Sequence, residues 1–293
     1  LESHNSYYGR SKDPETGEVV DVPLHIGYQE AKTVLKGPTF YKIYDSKKSK
    51  TKHLIEPQIT FRYVTSISED EQDRMLMVDM KDYPSYSYLG FSLTSRLITK
   101  SKINNEPTRE ILSLSLSQQY YLDPQEAHHN KEINGTFPEF SDLNASLRYI
   151  PFKKFSLNVN VSYNYFIEDF TRITAKIAYD DENSVLNGYL SYTKNRNAYT
   201  SADYFFNREV IRGLVNVNVK GFPLKLASDI NYDITEKEFR SASFKAFLDY
   251  QCVVINAEFK IFSYLGREET LFNIGISFGN LGMVSNFFNE GGN

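Results

Sequence analysis

Between residues 155 and 165, Phe155, Leu157, Val159, Val161, Tyr163 and Tyr165 interleave with Ser156, Asn158, Asn160, Ser162 and Asn164. Successive strand side chains point to opposite faces, so this spacing predicts a β-strand with one apolar and one polar face. Leu112, Leu114 and Leu116 alternate likewise with Ser113, Ser115 and Ser117, and Ile173, Ala175, Ile177 and Tyr179 with Arg172, Thr174, Lys176 and Ala178. Val253, Ile255, Ala257, Phe259 and Ile261 alternate with Val254, Asn256, Glu258 and Lys260. Helical spacing is sustained nowhere. The pattern predicts strands near 34–45, 52–64, 87–100, 108–121, 141–150, 155–165, 170–180, 184–194, 208–220, 224–232, 242–250, 253–263 and 269–280, with a fourteenth at 3–10. Most are about 9–13 residues long, against roughly 5–6 for a soluble strand and about 9–11 for a tilted bilayer crossing.

The joins sort by length. Pro151-Phe152-Lys153, Asp181-Glu182-Asn183, Gly221-Phe222-Pro223 and Gln251-Cys252 read as tight turns, whereas 65–86, 122–140, 195–207 and 233–241 read as long polar loops. Counted back from the C-terminus, the tight joins fall at one end of the strands and the long loops at the other, as in outer-membrane barrels with short periplasmic turns. That count places Cys252 and the C-terminus on the periplasmic side. Aromatic residues gather where strands end: Tyr120-Tyr121, Tyr163 with Tyr165-Phe166, Tyr204-Phe205-Phe206, and Tyr232. They read as an interfacial girdle, or as ordinary strand preference.

Composition narrows the class. The 293 residues hold 41% hydrophobic and 24% charged side chains, and mean hydropathy is -0.46 with no apolar run of helix-spanning length, so a bundle of membrane helices is excluded. A membrane barrel is not, because its lumen-facing residues lower the average. A net charge of -4 argues against an extended nucleic-acid surface. One cysteine excludes an internal disulfide framework or a Cys-based zinc site. The opening Leu1-Glu2-Ser3-His4 has neither initiator Met nor signal-peptide character, so the sequence is read as a mature chain or a fragment.

Gly37-Pro38-Thr39-Phe40 and the run Lys52-His53-Leu54-Ile55-Glu56-Pro57 ending near Tyr63 resemble the opening of the C-terminal half of the outer-membrane lipopolysaccharide-assembly family, also called the organic-solvent-tolerance family. Further matches follow in the family's order: Leu114 to Leu122, the hairpins from Ser141 to Tyr192, Tyr250-Gln251-Cys252 with Val253 to Asn256, and Phe272 to Ile276 leading to Gly279-Asn280-Leu281-Gly282. The resemblance covers residues 37–282. It implies an all-β, antiparallel transmembrane barrel of roughly 26 strands, of which residues 1–293 are the C-terminal part, without the family's periplasmic β-jellyroll and first barrel strands. It implies a place in the bacterial outer membrane, and lipopolysaccharide delivered by periplasmic lipopolysaccharide-bridge proteins and released through a seam between first and last strands. A lipoprotein plug inside the barrel and contact with the barrel-insertion machinery are implied too.

Such transfer makes no bond, so no enzyme activity, catalytic residue, cofactor or metal is expected. It needs an apolar path for acyl chains and a wet path for sugars and phosphates. Asn158, Asn160, Ser162, Arg172, Lys176, Arg212, Asn216 and Asn218 are the candidate lumen residues, although any water-filled barrel has polar residues of this kind. In the last strand Thr270, Phe272, Ile274, Ile276 and Phe278 are expected toward lipid, with Asn273, Gly275, Ser277 and Gly279 toward the lumen. Glycines there suit a seam built to part, and equally a bend or bulge. Asn273, Gly275 and Phe278 also resemble the terminal signal read by the insertion machinery. In the family, a cysteine at the position of Cys252 joins one in the N-terminal periplasmic region; the alternative is a free, partly buried thiol.

Other features point less far. His128-His129 with Glu126 lack a third spaced ligand, and the acidic run Glu69, Asp70, Glu71, Asp73, Asp79 and Asp82 reads as solvated or as holding divalent cations against lipid phosphates. Pro57 predicts a bulge or an irregular start in its strand. A generic outer-membrane porin shares the alternation without the seam, and a soluble β-sandwich shares the alternation alone.

Overall fold

The computed structural model describes residues 1–65, 86–103, 107–125, 136–180, 185–196, 208–218, 221–250, 253–264 and 267–278. The described residues hold strands and no helix. In order these are β1 (Glu2–Tyr8), β2 (Ser11–Lys12), β3 (Val19–Val20), β4 (Leu24–Lys36), β5 (Phe40–Asp45), β6 (Ser49–Val64), β7 (Tyr88–Ser101) and β8 (Arg109–Tyr121). There follow β9 (Leu143–Tyr149), β10 (Phe155–Asn164), β11 (Asp169–Tyr179), β12 (Leu186–Asn195), β13 (Arg208–Asn218), β14 (Leu224–Asp233), β15 (Glu238–Tyr250), β16 (Val253–Tyr264) and β17 (Arg267–Phe278). The hydrogen-bonded order is β1-β4-β6-β7 and then consecutively to β17, with β5 beside β6 and β2 paired to β3. The chain forms two compact units, one of Leu1–Arg109, Ser113–Ala145 and Ser162–Asp169, the other of Glu110–Leu112, Ser146–Val161 and Phe170–Asn293.

In the first unit the predicted strand 34–45 is two strands. Gly37-Pro38-Thr39 interrupts it, so β4 covers the upper half of one edge of β6 (Glu30↔Val64 to Lys36↔Gln58) and β5 the lower half (Phe40↔Ile55 to Asp45↔Lys50). Pro57 sits at this change of partner. Its carbonyl accepts from Gly37 N at 2.9 Å, so the side of Pro57 that lacks an N–H faces the junction. The β6–β7 register runs through Pro57↔Leu93 unbroken, which corrects the expected bulge.

Two four-residue turns share one design. Asn164 Oδ1 accepts from Phe166 N (2.9 Å) and Ile167 N (3.3 Å), and Asp233 Oδ1 accepts from Glu236 N (3.1 Å). Each turn ends on a residue of positive φ, Glu168 at 50° and Lys237 at 58°. Short polar side chains that bond the backbone ahead of them favour such turns. The expected long loop 233–241 is therefore only Ile234–Lys237, and the strand expected at 242–250 starts at Glu238. With 165–168 also tight, the ends of the strands differ less in loop length than the sequence reading expects.

The β2–β3 hairpin turns on Asp13, whose Oδ1 accepts from Thr16 N (2.8 Å) and Glu15 N (2.9 Å). The Thr16 backbone bond, then the Thr16 hydroxyl and Glu15 N, hold this carboxyl below the usual carboxylate range. A depressed folded value means that the contribution is present above the unfolded carboxylate range and is lost as pH falls through the folded one. Exchange of the Thr16 amide hydrogen, corrected for intrinsic rate, should accelerate across that acid window and stay flat above it.

Candidate functional site

Register decides which residues share a face. In the second unit Arg172 lies opposite Asn195, Lys176 opposite Ser191, Ser191 opposite Arg212, Asn187 opposite Asn216, and Asn218 opposite Lys225. Five of the eight lumen candidates therefore stand on one polar face. The charges on it are largely spent on one another. Arg212 grips Asp229 with Nη2 to Oδ2 at 2.6 Å and Nε to Oδ1 at 3.3 Å, Lys245 meets Glu258 at 3.3 Å, and Lys176 lies 4.2 Å from the Tyr189 ring centre. Asn160 accepts from Ser146 (2.7 Å) in the second unit, and Ser162 donates to Asn144 (2.7 Å) in the first. Asn158 is half-buried on β10 with no side-chain bond among the described residues.

The opposite face of the second unit carries Leu190, Val215, Leu226, Phe244, Phe259 and Phe272, all exposed. Nothing of the protein covers this face among the described residues. An apolar surface of this extent is stable only against another apolar phase. In β17, Phe272, Ile274 and Ile276 are 64%, 63% and 61% exposed and stand opposite Phe259, Ala257 and Ile255.

The β16–β17 ladder runs from Val253↔Phe278 to Tyr264↔Arg267 without a shift, so Gly275 marks no bulge. A Cβ there would lie 2.2 Å from Asn256 Oδ1, so Gly275 makes room for the amide of its cross-strand partner. β17 ends the hydrogen-bonded order, and its second edge has no partner among the described residues. Asn273 is exposed on this strand. Cys252, Gly279, Gly282, His128, His129, Tyr204 to Phe206 and the acidic run after residue 65 lie outside the described residues.

In the first unit the apolar face carries Leu35, Ile59, Phe61, Phe91 and Leu93, and the other face Glu30, Gln58, Thr60, Arg62, Ser92 and Thr94. Arg62 holds Glu30 bidentately (2.8 and 3.0 Å), and Arg96 pairs with Glu56. Aromatic pairs stand at strand ends as expected: Tyr120 with Phe140, Tyr163 with Tyr165, and in the second unit Tyr232 with Phe239. Tyr121 departs from the girdle. It is 4% exposed and packs edge-on against Tyr86. Sequence reasoning passes over the polar face of β6–β8, although the Ser113, Ser115, Ser117 alternation marks it.

Long antiparallel strands with a bare apolar face and a wet, charge-paired face define the wall of an outer-membrane β-barrel. The family model for LptD, LPS transport system D, matches residues 34–222. The chain belongs to this family, and is an outer-membrane protein of lipopolysaccharide transport. No curated protein matches it. Solved structures similar to it include a triple mutant of the Rhodopseudomonas blastica porin (11% identity, TM-score 0.33, covering 94% of this chain and 99% of that one). Another is Acinetobacter baumannii OccAB4 (10% identity, TM-score 0.29, covering 94% and 87%).

Proposed function

We propose that these strands form the C-terminal part of a larger barrel that inserts lipopolysaccharide into the outer leaflet through a lateral seam at β17. The observation that carries this reading is the two-faced sheet, whose last described strand, β17, keeps the apolar row and the polar row on opposite faces. Phe272, Ile274 and Ile276 line its apolar face, so acyl chains leaving beside this strand meet hydrocarbon at once. The polar face, with Asn158, Asn160, Ser162, Arg172, Lys176, Arg212, Asn216 and Asn218, keeps water beside the saccharide and phosphates.

Weak adhesion at the seam follows from Gly275, which adds no side-chain packing to the strand. Asn273, Phe278 and Gly279 complete the terminal segment that the insertion machinery reads. The long connections face outward, and Cys252, at the join of β15 and β16, faces the periplasm and pairs with a cysteine of the N-terminal region. Periplasmic bridge proteins deliver the lipid, a lipoprotein fills the barrel, and no covalent chemistry occurs.

Locking the seam tests the reading. A disulfide from Asn273→Cys to the strand beside β17 in the closed barrel should stop lipopolysaccharide from reaching the cell surface, and a reductant should restore its arrival. Undiminished arrival with the lock fully oxidised would refute a lateral exit at this strand.

A further inference from the structure

The polar face of the first unit carries a cleft of two adjoining lobes, of about 250 and 240 Å³, which meet at Gln58 and Ser92. The first lobe lies between β6, β7 and β8, near the strand ends that carry the long connections. It is lined by neutral hydrogen-bonding side chains, chiefly Gln58, Ser92, Ser117 and Gln119, beside the ring of Tyr88. Among the described residues, the hydroxyls of Ser92 and Ser117 and the side-chain amide of Gln119 bond no protein group. This contrasts with the neighbouring charges. Arg62 is held by Glu30, and Arg96, in the second lobe, by Glu56.

Gly90 keeps the first lobe open. A Cβ at this buried position would come 3.2 Å from Tyr88 Cε2 and 3.6 Å from Thr60 Cβ, so a larger side chain would displace the ring into the cleft. Amides and hydroxyls that both donate and accept, set beside an aromatic ring, match the hydroxyl-covered edge and the C–H face of a sugar ring. No lysine or arginine lines the first lobe, and the nearby guanidinium groups are already paired, so little is left there to select an anion. Lys36, the cross-strand partner of Gln58, stands exposed in the lining of the second lobe, which therefore keeps a cation that the first lobe lacks.

We infer that the first lobe of this cleft is a subsite for a neutral sugar ring of the lipopolysaccharide saccharide, distinct from any contact to its phosphates. The inference rests on the transport reading above and names the part of the cargo that this face engages.

Two variants of the full-length transporter test it. Ser117→Ala with Gln119→Leu removes the unspent hydrogen-bonding groups, and Gly90→Leu fills the lobe. The probe is the lipid-free neutral oligosaccharide cleaved from the cell's own lipopolysaccharide. Loss of two or three hydrogen bonds should weaken its binding about tenfold in either variant. In cells, arrival of full-length lipopolysaccharide at the surface should slow, while arrival of lipopolysaccharide trimmed of its outer sugars should not. Heat-modifiable migration of each variant reports its folding, and the double variant stands alone if Gly90→Leu does not fold. Equal oligosaccharide binding by variants and wild type, or displacement from the wild type by inorganic phosphate and not by neutral sugar, would overturn the subsite. If depleting the protein stopped neither form of the lipid, the transport reading itself would fail; if it stopped both while the variants slowed neither, only the subsite would.

Discussion

Gly188→Ala should part β12 from β13 in the membrane wall. An added Cβ would lie 2.1 Å from the carbonyl oxygen of Leu214 and 3.0 Å from Val215 Cα, and these are backbone atoms that no rotamer change can move aside. Overpacking of this kind costs about 1–3 kcal/mol, and contact with backbone sets the expectation at the upper end. Gly213 lies in the same strand pair, opposite Leu190, and is the control. Its nearest neighbour to an added Cβ is Leu190 Cδ1 at 3.7 Å, so Gly213→Ala should be neutral or slightly stabilising. Urea unfolding of the folded protein in lipid, read by heat-modifiable migration, separates the two. Equal midpoints for both alanine variants would show that the β12–β13 approach is not tight.

Asp233→Ala should be the most damaging change at the strand ends. The carboxylate is fully buried and accepts from Arg208 Nε at 2.9 Å, Arg240 Nε at 3.2 Å and Glu236 N at 3.1 Å. Removing one member of a buried ionic group costs about 3–5 kcal/mol. Arg208 is 40% exposed and recovers some hydration, so about 2–3 kcal/mol is expected here. Asp233→Asn retains the acceptor for Glu236 N, the role that Asn164 fills at the other turn, and should cost roughly half as much. Protease cleavage within 234–237 should rise in the alanine variant and much less in the asparagine one. Unchanged cleavage and stability in both would remove the carboxylate from the turn's support.

The alternation at 155–165 and 253–261 was enough to find the strands and their two faces, because a half-wetted strand must repeat every second residue. Where the reading failed, the deciding partner lay on another strand. Glu236-Lys237-Glu238-Phe239-Arg240 looks like a polar loop along the chain. In the structure a register shift between Asn231 and Tyr232 leaves Arg240 as the extra residue of β15, aimed at Asp233 and Glu238. Gly37-Pro38 is a visible break, yet only the pairing of β6 shows that one strand serves two successive partners. The candidate lumen residues were legible as a face. That Arg212 is tied to Asp229, while Ser117 and Gln119 are left unspent, depends on register and is not written in either strand alone.

The cross-strand ion pairs have a bearing on how such a wall is assembled. Glu30 with Arg62, Glu56 with Arg96, Arg212 with Asp229, and Lys245 with Glu258 each bridge adjacent strands. A strand threaded one residue out of step would turn its cation into hydrocarbon, at a cost of about 2–4 kcal/mol near the midplane. A slip of two would keep the cation wet but strand it from its mate. Misthreaded hairpins are thus penalised at every step of insertion, so these pairs proofread the weave even where they add little to its final strength.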